Sequence, residues 1–553
     1  MELSYTCCMK LLFKFLPGFF LLCMITCPEF VFGNESDRLA LLDLKRRITN
    51  DPLHIMNSWN DSTDLCSWIG VTCNVSNKRV VILNLEAQKL VGSIPPSIGN
   101  LTYLTGINFI DNNFYGEIPQ EWDLRMFDVG ANKLIGSIPD QLSSLLNLTH
   151  FWVDDNNLIG AIPDWIGNFS SRLGRFIIPS NKLSGTVPSS IYNISLIYYI
   201  TVTQNQLHGE LPQNVGTTLP NLEIFAGGIN KFTGSIPVSL SNASKLLFLD
   251  FAENGLTGKL PAENFGSLRS LLRLNFDDNR LGSGKTGDLN SLSFLANCTN
   301  LEVLSFSRNR FGGELPESIA NLSTKLRIFT MGGNLIHGSI PFGIVNLVNL
   351  TSLGMEQNSL GGTVPDAIGK LQKLQGMYLY LNQFSGTIPS TLGNLTSVTR
   401  LFMEGNRFEG SIPPSLGSCQ NLLMLNLSSN QLSGTIPKEV IELSSLSISL
   451  SISNSSLTRS LPSEVGELVH LSELDVSGNK LSGEIPKTLG SCASLVRPYL
   501  EGNEFERTIP QSLAKLRGLE ELDISCNNLS GQIPDFLGKL GSLQQLNVSH
   551  NQF

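Results

Sequence analysis

A repeat solenoid of the α/β class is the fold this sequence predicts, with short parallel strands along one face and 3-10 or irregular segments along the other. Three observations point there. From about residue 80 onward a unit of 24 or 25 residues recurs, as in NRFEGSIPPSLGSCQNLLMLNLSSNQLSGTIP. Inside each unit an L-x-L alternation turns every second side chain inward, as a short strand requires. An asparagine follows each alternation, and a G-x-I-P follows the asparagine. One unit cannot cover its own leucines, so neighbours must stack and share a core.

The asparagine position falls at Gln88, Asn112, Asn132, Asn156, Asn181, Asn205, Asn230, Asn254, Asn279, Asn309, Asn334, Asn358, Asn382, Asn406, Asn430, Ser455, Asn479, Asn503, Asn527 and Asn551. The consensus L-x-x-L-x-L-x-x-N-x-L-x-G-x-I-P-x-x-L-G-x-L is that of a leucine-rich repeat, and the array is expected to form a right-handed superhelix with its strands on the concave face. A buried asparagine bonds backbone groups that the turning chain would leave without partners. Glycine permits the tight bend, and proline sets φ where the chain starts its return on the outer side.

Two spacings depart from the rule. Asn112 and Asn132 are only 20 residues apart, so the repeat between them has lost part of its outer segment. Asn279 and Asn309 are 30 apart, and the surplus is LGSGKTGDLNSLSFLANC. Its core GSGKT resembles part of a phosphate-binding loop, but Asn279 stands where the first glycine of that motif belongs. Gly282, Gly284 and Gly287 read instead as bulge glycines of an enlarged repeat.

The 553 residues are 41% hydrophobic and 15% charged, with a net charge of −9. That balance argues against disorder and against a nucleic-acid partner. Residues 1–33, with Lys10, Lys14 and the run LLFKFLPGFFLLCMITC, read as a signal peptide cleaved near Gly33. An uncleaved anchor is the alternative, which Lys14 and Pro17 disfavour. Cys7, Cys8, Cys23 and Cys27 would leave with this segment. Cys66 and Cys73 suit a disulfide in an oxidising compartment. Cys298, Cys419, Cys492 and Cys526 read as structural fillers, and their spacing fits no zinc site.

Residues 37–74 read DRLALLDLKRRITNDPLHIMNSWNDSTDLCSWIGVTCN. The A-L-L-x-x-K helix, D-P, S-W-N and C-x-W-x-G-V-x-C resemble the N-terminal cap of plant leucine-rich-repeat receptor-like serine/threonine kinases. The S-G-x-I-P repeats behind it are similar to the plant extracellular type. The enlarged repeat resembles the subgroup of the flagellin, elongation factor Tu and rice bacterial-blight receptors. The organisation expected is then a cap over 34–78 and about twenty repeats over 79–553. The resemblance implies an extracellular peptide or protein ligand and a co-receptor kinase with a shorter repeat ectodomain, in immune or developmental signalling. The chain stops at LNVSHNQF without a C-terminal cap, a membrane helix or a kinase domain. It is therefore expected to be the ectodomain of a plasma-membrane receptor facing the apoplast, the membrane reached only through a C-terminal anchor absent here. A secreted cell-wall protein resembling polygalacturonase inhibitors is the alternative.

Residues six, four and two before each ladder asparagine should face the concave side. On that count the candidate ligand contacts are Trp152, Asp154, Tyr199, Phe248, Asp250, Arg273, Asp277, Glu356, Tyr378, Tyr380, Arg400, Phe402 and Glu404, aromatics beside charges as binding hot spots require. Strand surfaces also favour aromatics for packing alone. The late repeats look bland, with Ser477, Ser525 and Ser549 two before their asparagines. Glycosylation sequons stand at Asn60, Asn74, Asn100, Asn147, Asn168, Asn193, Asn242, Asn297, Asn321, Asn349 and Asn394, and also at Asn34, Asn426, Asn454, Asn528 and Asn547. Glycans on Asn426 and Asn547 would project from the concave side. The six histidines are scattered through the chain, and adjacent acids such as Asp277 and Asp278 point to opposite faces of a strand. No V-A-I-K, H-R-D or D-F-G signature occurs, so neither catalysis nor a metal or cofactor is expected of this chain.

Overall fold

Stacking, which the repeat demands, is what the backbone shows. The computed structural model describes residues 30–120, 124–168 and 172–553. The signal peptide expected over 1–33 lies almost wholly outside them, as does part of the outer segment of the short repeat after Asn112. The chain divides into two compact units, 1–173 and 174–553.

In the first unit the helix Phe30–Arg47 leads into the strand Ile48–Asn50, which pairs antiparallel with Val91–Ser93. Asp37 is fully buried, and it holds the helix to the first repeat. Arg79 donates to both its carboxylate oxygens at 2.8 and 2.9 Å, and the Val80 amide donates at 2.9 Å. A buried carboxylate is tolerable only when paired and hydrogen-bonded in this way. Trp59 and Trp68 stack with centroids 5.5 Å apart, and Cys66 is bonded to Cys73. Val71–Cys73 pairs antiparallel with Val80–Asn84, from which a parallel ladder runs through Gly106–Asn108 and Met126–Asp128 to His150–Trp152.

In the second unit a parallel ladder runs from Arg175–Ile177 to Gln545–Asn547, one three-residue strand per repeat. The middle residue of each strand is buried, as at Leu401, Leu425 and Leu450, except in Gln545–Asn547, where Leu546 is exposed. Most repeats return on the outer side through a 3-10 turn. Its proline supplies the first accepting carbonyl, as from Ile368 N to Pro365 O at 2.9 Å. The ladder asparagine does what its position predicts. Asn479 Nδ2 donates to the carbonyls of Ile452, Val476 and Ser477 at 3.0 to 3.1 Å, and its Oδ1 accepts from Leu457 N at 3.1 Å. Each such side chain ties one repeat to the one before it.

Two features are not legible in the sequence. The segment after each asparagine is expected to be a bend and then irregular chain, yet it forms a second row of short parallel strands. Ten of them, from Gly312–Glu314 to Asn528–Leu529, make one sheet. The residue just before each ladder asparagine sits in the left-handed region. Glycine holds that place at Gly333, Gly405, Gly478 and Gly502, but Ile229 occupies it at φ 54°. A β-branched side chain there costs on the order of 1–3 kcal/mol. Ile229 is exposed, so Ile229→Gly should raise stability by about 1 kcal/mol after the entropy that glycine loses on folding. Urea unfolding of the two proteins checks this, and an unchanged or lower midpoint would refute it.

The enlarged repeat resolves the GSGKT stretch. Gly282, Gly284 and Gly287 all have positive φ, and the loop amides point to the chain's own Asp288. That carboxylate accepts from Ser283 N at 2.8 Å, Ser283 Oγ at 2.7 Å, Gly284 N at 3.0 Å and Gly312 N at 3.1 Å. Burial pushes Asp288 up, but the bonds from Ser283, Gly312 and Gly284 outweigh it and hold the group below its ordinary value. The chain then enters a 3-10 helix, Asn290–Asn297, with the amides of Ser283 and Gly284 already satisfied. Of the four cysteines read as fillers, Cys298, Cys419 and Cys492 are buried. Cys526 is exposed, because it stands at the left-handed position before Asn527.

Candidate functional site

The alternation of each strand puts three outward positions per repeat on the strand face, and the register aligns them into three rows across the second unit. The row six before the asparagine carries Tyr199, Phe248, Arg273 and Arg400. The row four before carries Asp250, Tyr378 and Phe402, and the row two before carries Asp277, Glu356, Tyr380 and Glu404. All of these are half-buried except Arg400, which is exposed. Trp152 and Asp154 belong to the first unit, so the thirteen candidates do not form a single set. There Trp152 lies beside Asp128 in register. Burial pushes Asp128 up to about 6, with the Gly130 amide opposing and Asp154 adding to the rise. Burial likewise raises Asp154, against the effect of the Trp152 indole. Asp128 is not among the sequence candidates, since a lone acid on a strand carries no motif.

Two groups of large side chains stand apart in the second unit. In the first, Arg273 Nε donates to Asp250 Oδ2 at 2.8 Å, and Asn275 Nδ2 donates to the same oxygen at 3.0 Å. Asp277 accepts from Ser305 Oγ at 2.6 Å and from the Ser307 amide. Burial still raises it, against the pull of Ser305, Ser307 and Arg308. The next residue, Asp278, forms an ion pair with Arg308. In the second group Tyr378 and Phe402 meet edge to face, with centroids 5.5 Å apart at 67°. Gly376 makes room for the Tyr378 ring, because a Cβ there would lie 2.8 Å from it.

Between the groups the rows four and two before the asparagine carry small residues, Ser305, Ser307, Thr330, Gly332 and Gly354, beside Val303, Ile328 and Ser352 in the row six before. At about 4.8 Å per strand this makes a trough roughly 15 Å wide. Glu356 lies in it, held against Gly332, where a Cβ would come within 2.2 Å of its Oε1. Oε2 of Glu356 and Oε2 of Glu404 are buried without a hydrogen-bond partner. Burial raises both carboxyls, and Arg308 draws Glu356 back down. Burial, then Glu356 and Glu404, raise the Tyr380 phenol between them. Two half-buried carboxyls and two aromatic rings thus stand close together on the strand face.

The late repeats are not bland. Ser477, Ser525 and Ser549 do lie two before their asparagines, but each donates its hydroxyl to a neighbour, respectively Asp475, Asp523 and Asn547, at 2.6 to 2.8 Å. Tyr499 donates to Glu521 at 2.8 Å, and burial and then this bond push its phenol up to about 12. Arg497 pairs with Glu520 at 2.9 Å. Sequence reasoning misses these groups because serines fill most of the row nearest the asparagine, Glu501 excepted, and the other charged and aromatic residues stand farther from it.

The sequons fall mainly on the outer side. Asn100, Asn193, Asn242, Asn297, Asn321 and Asn394 end 3-10 turns and are exposed. Asn147 and Asn74 are exposed as well. Asn60 and Asn349 already use their amides, donating to Asn57 O at 3.0 Å and Thr324 O at 2.7 Å. The Asn168 side chain lies outside the described residues.

A ladder of short parallel strands, 3-10 returns and a buried asparagine row is the architecture of a leucine-rich-repeat protein, and comparison with known proteins agrees. The leucine rich repeat N-terminal domain family matches residues 34–74, a leucine-rich repeat region matches 406–553, and the leucine rich repeat itself matches 147–169 and 300–322. The LRR receptor-like serine/threonine-protein kinase EFR of Arabidopsis thaliana is 47% identical over 91 residues, 16% of this chain and 9% of that protein. The matched stretch thus spans about a tenth of that relative's length. The ectodomain of the Arabidopsis receptor kinase HAESA, crystallised with an N-terminally extended IDA peptide hormone, is 30% identical. It aligns over 94% of this chain and 86% of its own, with a TM-score of 0.74. HAESA with the peptide hormone IDA and the co-receptor SERK1 is 28% identical over 93% of this chain and 94% of its own, again with a TM-score of 0.74. The chain belongs to the leucine-rich-repeat ectodomains of plant receptor kinases, which face the outside of the cell. No helix among the described residues is long and apolar enough to cross a membrane, and no group of His, Cys, Asp and Glu among them could hold a metal.

Proposed function

We propose that this ectodomain recognises an extracellular peptide on the strand face of its second unit, with basic residues favoured in the ligand. The trough between Asp277 and Phe402 carries the reading, because small residues in two of its rows admit a backbone and the rings of Tyr378 and Phe402 stand beside the half-buried carboxyls of Glu356 and Glu404. A peptide neutralises Glu356 and Glu404 with lysine or arginine and buries apolar surface on Tyr378 and Phe402. The peptide-bound HAESA ectodomains, similar over nearly the whole chain, support peptide as the ligand class, and the complex that includes the co-receptor SERK1 supports a co-receptor as partner. The match to EFR, a receptor-like serine/threonine-protein kinase, supports a parent protein of that kind. The resemblance of the enlarged repeat to immune receptors favours a role in defence. A secreted inhibitor has less behind it, since EFR and HAESA are both receptor kinases.

Panning a displayed peptide library against the secreted ectodomain tests the site. Basic peptides should be enriched, and Tyr378→Ala with Phe402→Ala should weaken the selected peptide at least tenfold, about 1.4 kcal/mol. Glu356→Gln with Glu404→Gln should erase the preference for lysine and arginine. Binding indifferent to both pairs would place the site elsewhere.

A further inference from the structure

We propose that Asn426 carries an N-linked oligosaccharide that ends the docking strip at Phe402. The inference rests on the extracellular reading of the chain, since this sugar is added in the secretory pathway. Asn426, Leu427 and Ser428 form a sequon on the strand Met424–Asn426, and Asn426 lies in register between Phe402 on one side and Ser451 on the other. It is therefore one strand, about 4.8 Å, from the ring that closes the proposed site.

The side chain's hydrogen bonds separate Asn426 from Asn108, Asn275 and Asn547. The sequence separates it from Asn84, which also uses only its Oδ1 but is followed by Leu85 and Glu86 and forms no sequon. Asn108 Nδ2 donates to Glu86 at 2.9 Å, Asn275 Nδ2 to Asp250 at 3.0 Å and Asn547 Nδ2 to Asp523 at 2.9 Å, each to a carboxylate on the preceding repeat. Phe402 stands ahead of Asn426 where Asp250 and Asp523 stand ahead of Asn275 and Asn547, and a ring offers no such acceptor; Glu404, in the place of Glu86, makes no hydrogen bond to Asn426. Asn426 uses only its Oδ1, which accepts from Ser428 N at 3.1 Å and Ser428 Oγ at 2.6 Å. Its Nδ2 donates no hydrogen bond within the protein, and it is not among the buried unpartnered atoms. The amide nitrogen of this half-buried residue is neither hydrogen-bonded nor fully enclosed, so a substituent on it displaces no hydrogen bond. Asn547 is a sequon too, but a glycan there displaces its bond to Asp523.

The transfer uses a lipid-pyrophosphate-linked oligosaccharide acting on the extended chain before the strand closes. A bond forms from Nδ2 to C1 of the sugar, the C1–O bond to the pyrophosphate breaks, the pyrophosphate leaves with the electron pair, and Nδ2 gives up one proton. After folding, the first sugar covers the exposed edge of Phe402, and the rest of the glycan overlies the strands beyond it. A peptide can then occupy the face from Phe248 to Phe402 but not the later rows.

Intact-glycopeptide mass spectrometry of the secreted ectodomain, followed by hydroxyl-radical footprinting, tests this. Asn426 should be occupied, as should the exposed outer Asn394. Oxidation of Phe402 should then rise at least twofold in Asn426→Gln and in Ser428→Ala, which keeps the asparagine, and stay unchanged in Asn394→Gln. Asn394 modified with Asn426 bare would overturn the proposal while leaving the extracellular reading intact. No sequon modified anywhere would overturn both. Asn426 modified with unchanged Phe402 labelling would remove the boundary.

Discussion

Asn406→Ala should lower stability by about 3 kcal/mol, the larger share from groups the alanine leaves behind. Asn406 is 8% exposed. Its Nδ2 serves the carbonyls of Leu379, Met403 and Glu404 at 3.0 to 3.2 Å, and its Oδ1 takes the amide of Phe384 at 3.0 Å. Leaving a buried donor or acceptor unpaired costs about 1–3 kcal/mol, and no water replaces the amide in a row packed between leucines. Asn406→Asp should be worse, since a carboxylate cannot donate to three carbonyls and carries its own desolvation penalty. Repeat arrays unfold in segments, so the measurement should pair urea unfolding with hydrogen exchange. Protection should fall first at Phe384 and its neighbours. Nature has made part of this change at Ser455, which keeps a single bond to the carbonyl of Asn430 at 3.3 Å. A loss below about 1 kcal/mol in Asn406→Ala would mean that the row is not what joins the repeats.

That row is legible because each ladder asparagine repeats the same physical problem, and a solution imposed some twenty times shows in one sequence without any other. The inward leucines, the turn-starting proline and the three outward rows are readable for the same reason. The hidden features arise between repeats or are specific to one. The second row of strands has glycine among its residues, as in Lys480–Glu484, and a glycine weakens a strand signal, so only pairing with the next repeat reveals it. The left-handed residue before each ladder position is Gly at four repeats but Asp, Ala, Ser, Gln, Ile, Glu, Arg, Leu, Asn, Cys or His at the others, so composition gives little hint of it. The trough beside Glu356 is invisible in the sequence because small residues define it, Gly332 and Gly354, whereas hot spots are sought among large ones. Tyr378 and Phe402 are found on period alone, but their edge-to-face contact depends on Gly376, whose significance lies in what it lacks.

The glycine of the L-G-x-L segment is the other place where absence of a side chain carries the fold, and Gly393→Ala should cost about 2–3 kcal/mol. Gly393 is buried in the 3-10 turn Ser390–Asn394, and a Cβ there would sit 2.3 Å from the carbonyl oxygen of Ser415 and 2.8 Å from its carbon. Those are backbone atoms of the next turn, Pro414–Ser418, so no rotamer can relieve the contact and the two turns must separate. Overpacking of this kind costs about 1–3 kcal/mol. Gly369 against Thr391 and Gly490 against Ser512 meet the same carbonyl at 2.3 Å, so the spacing of outer turns is set repeat after repeat by a missing methyl group. Gly538 occupies the corresponding place in the final repeat and has nothing within 4 Å. Gly538→Ala should therefore be neutral or gain a few tenths of a kcal/mol from reduced freedom of the unfolded chain. Thermal and urea unfolding of the two variants decide the matter. A marked loss in Gly393→Ala with none in Gly538→Ala assigns the cost to contact between repeats, whereas equal losses would assign it to the turn itself.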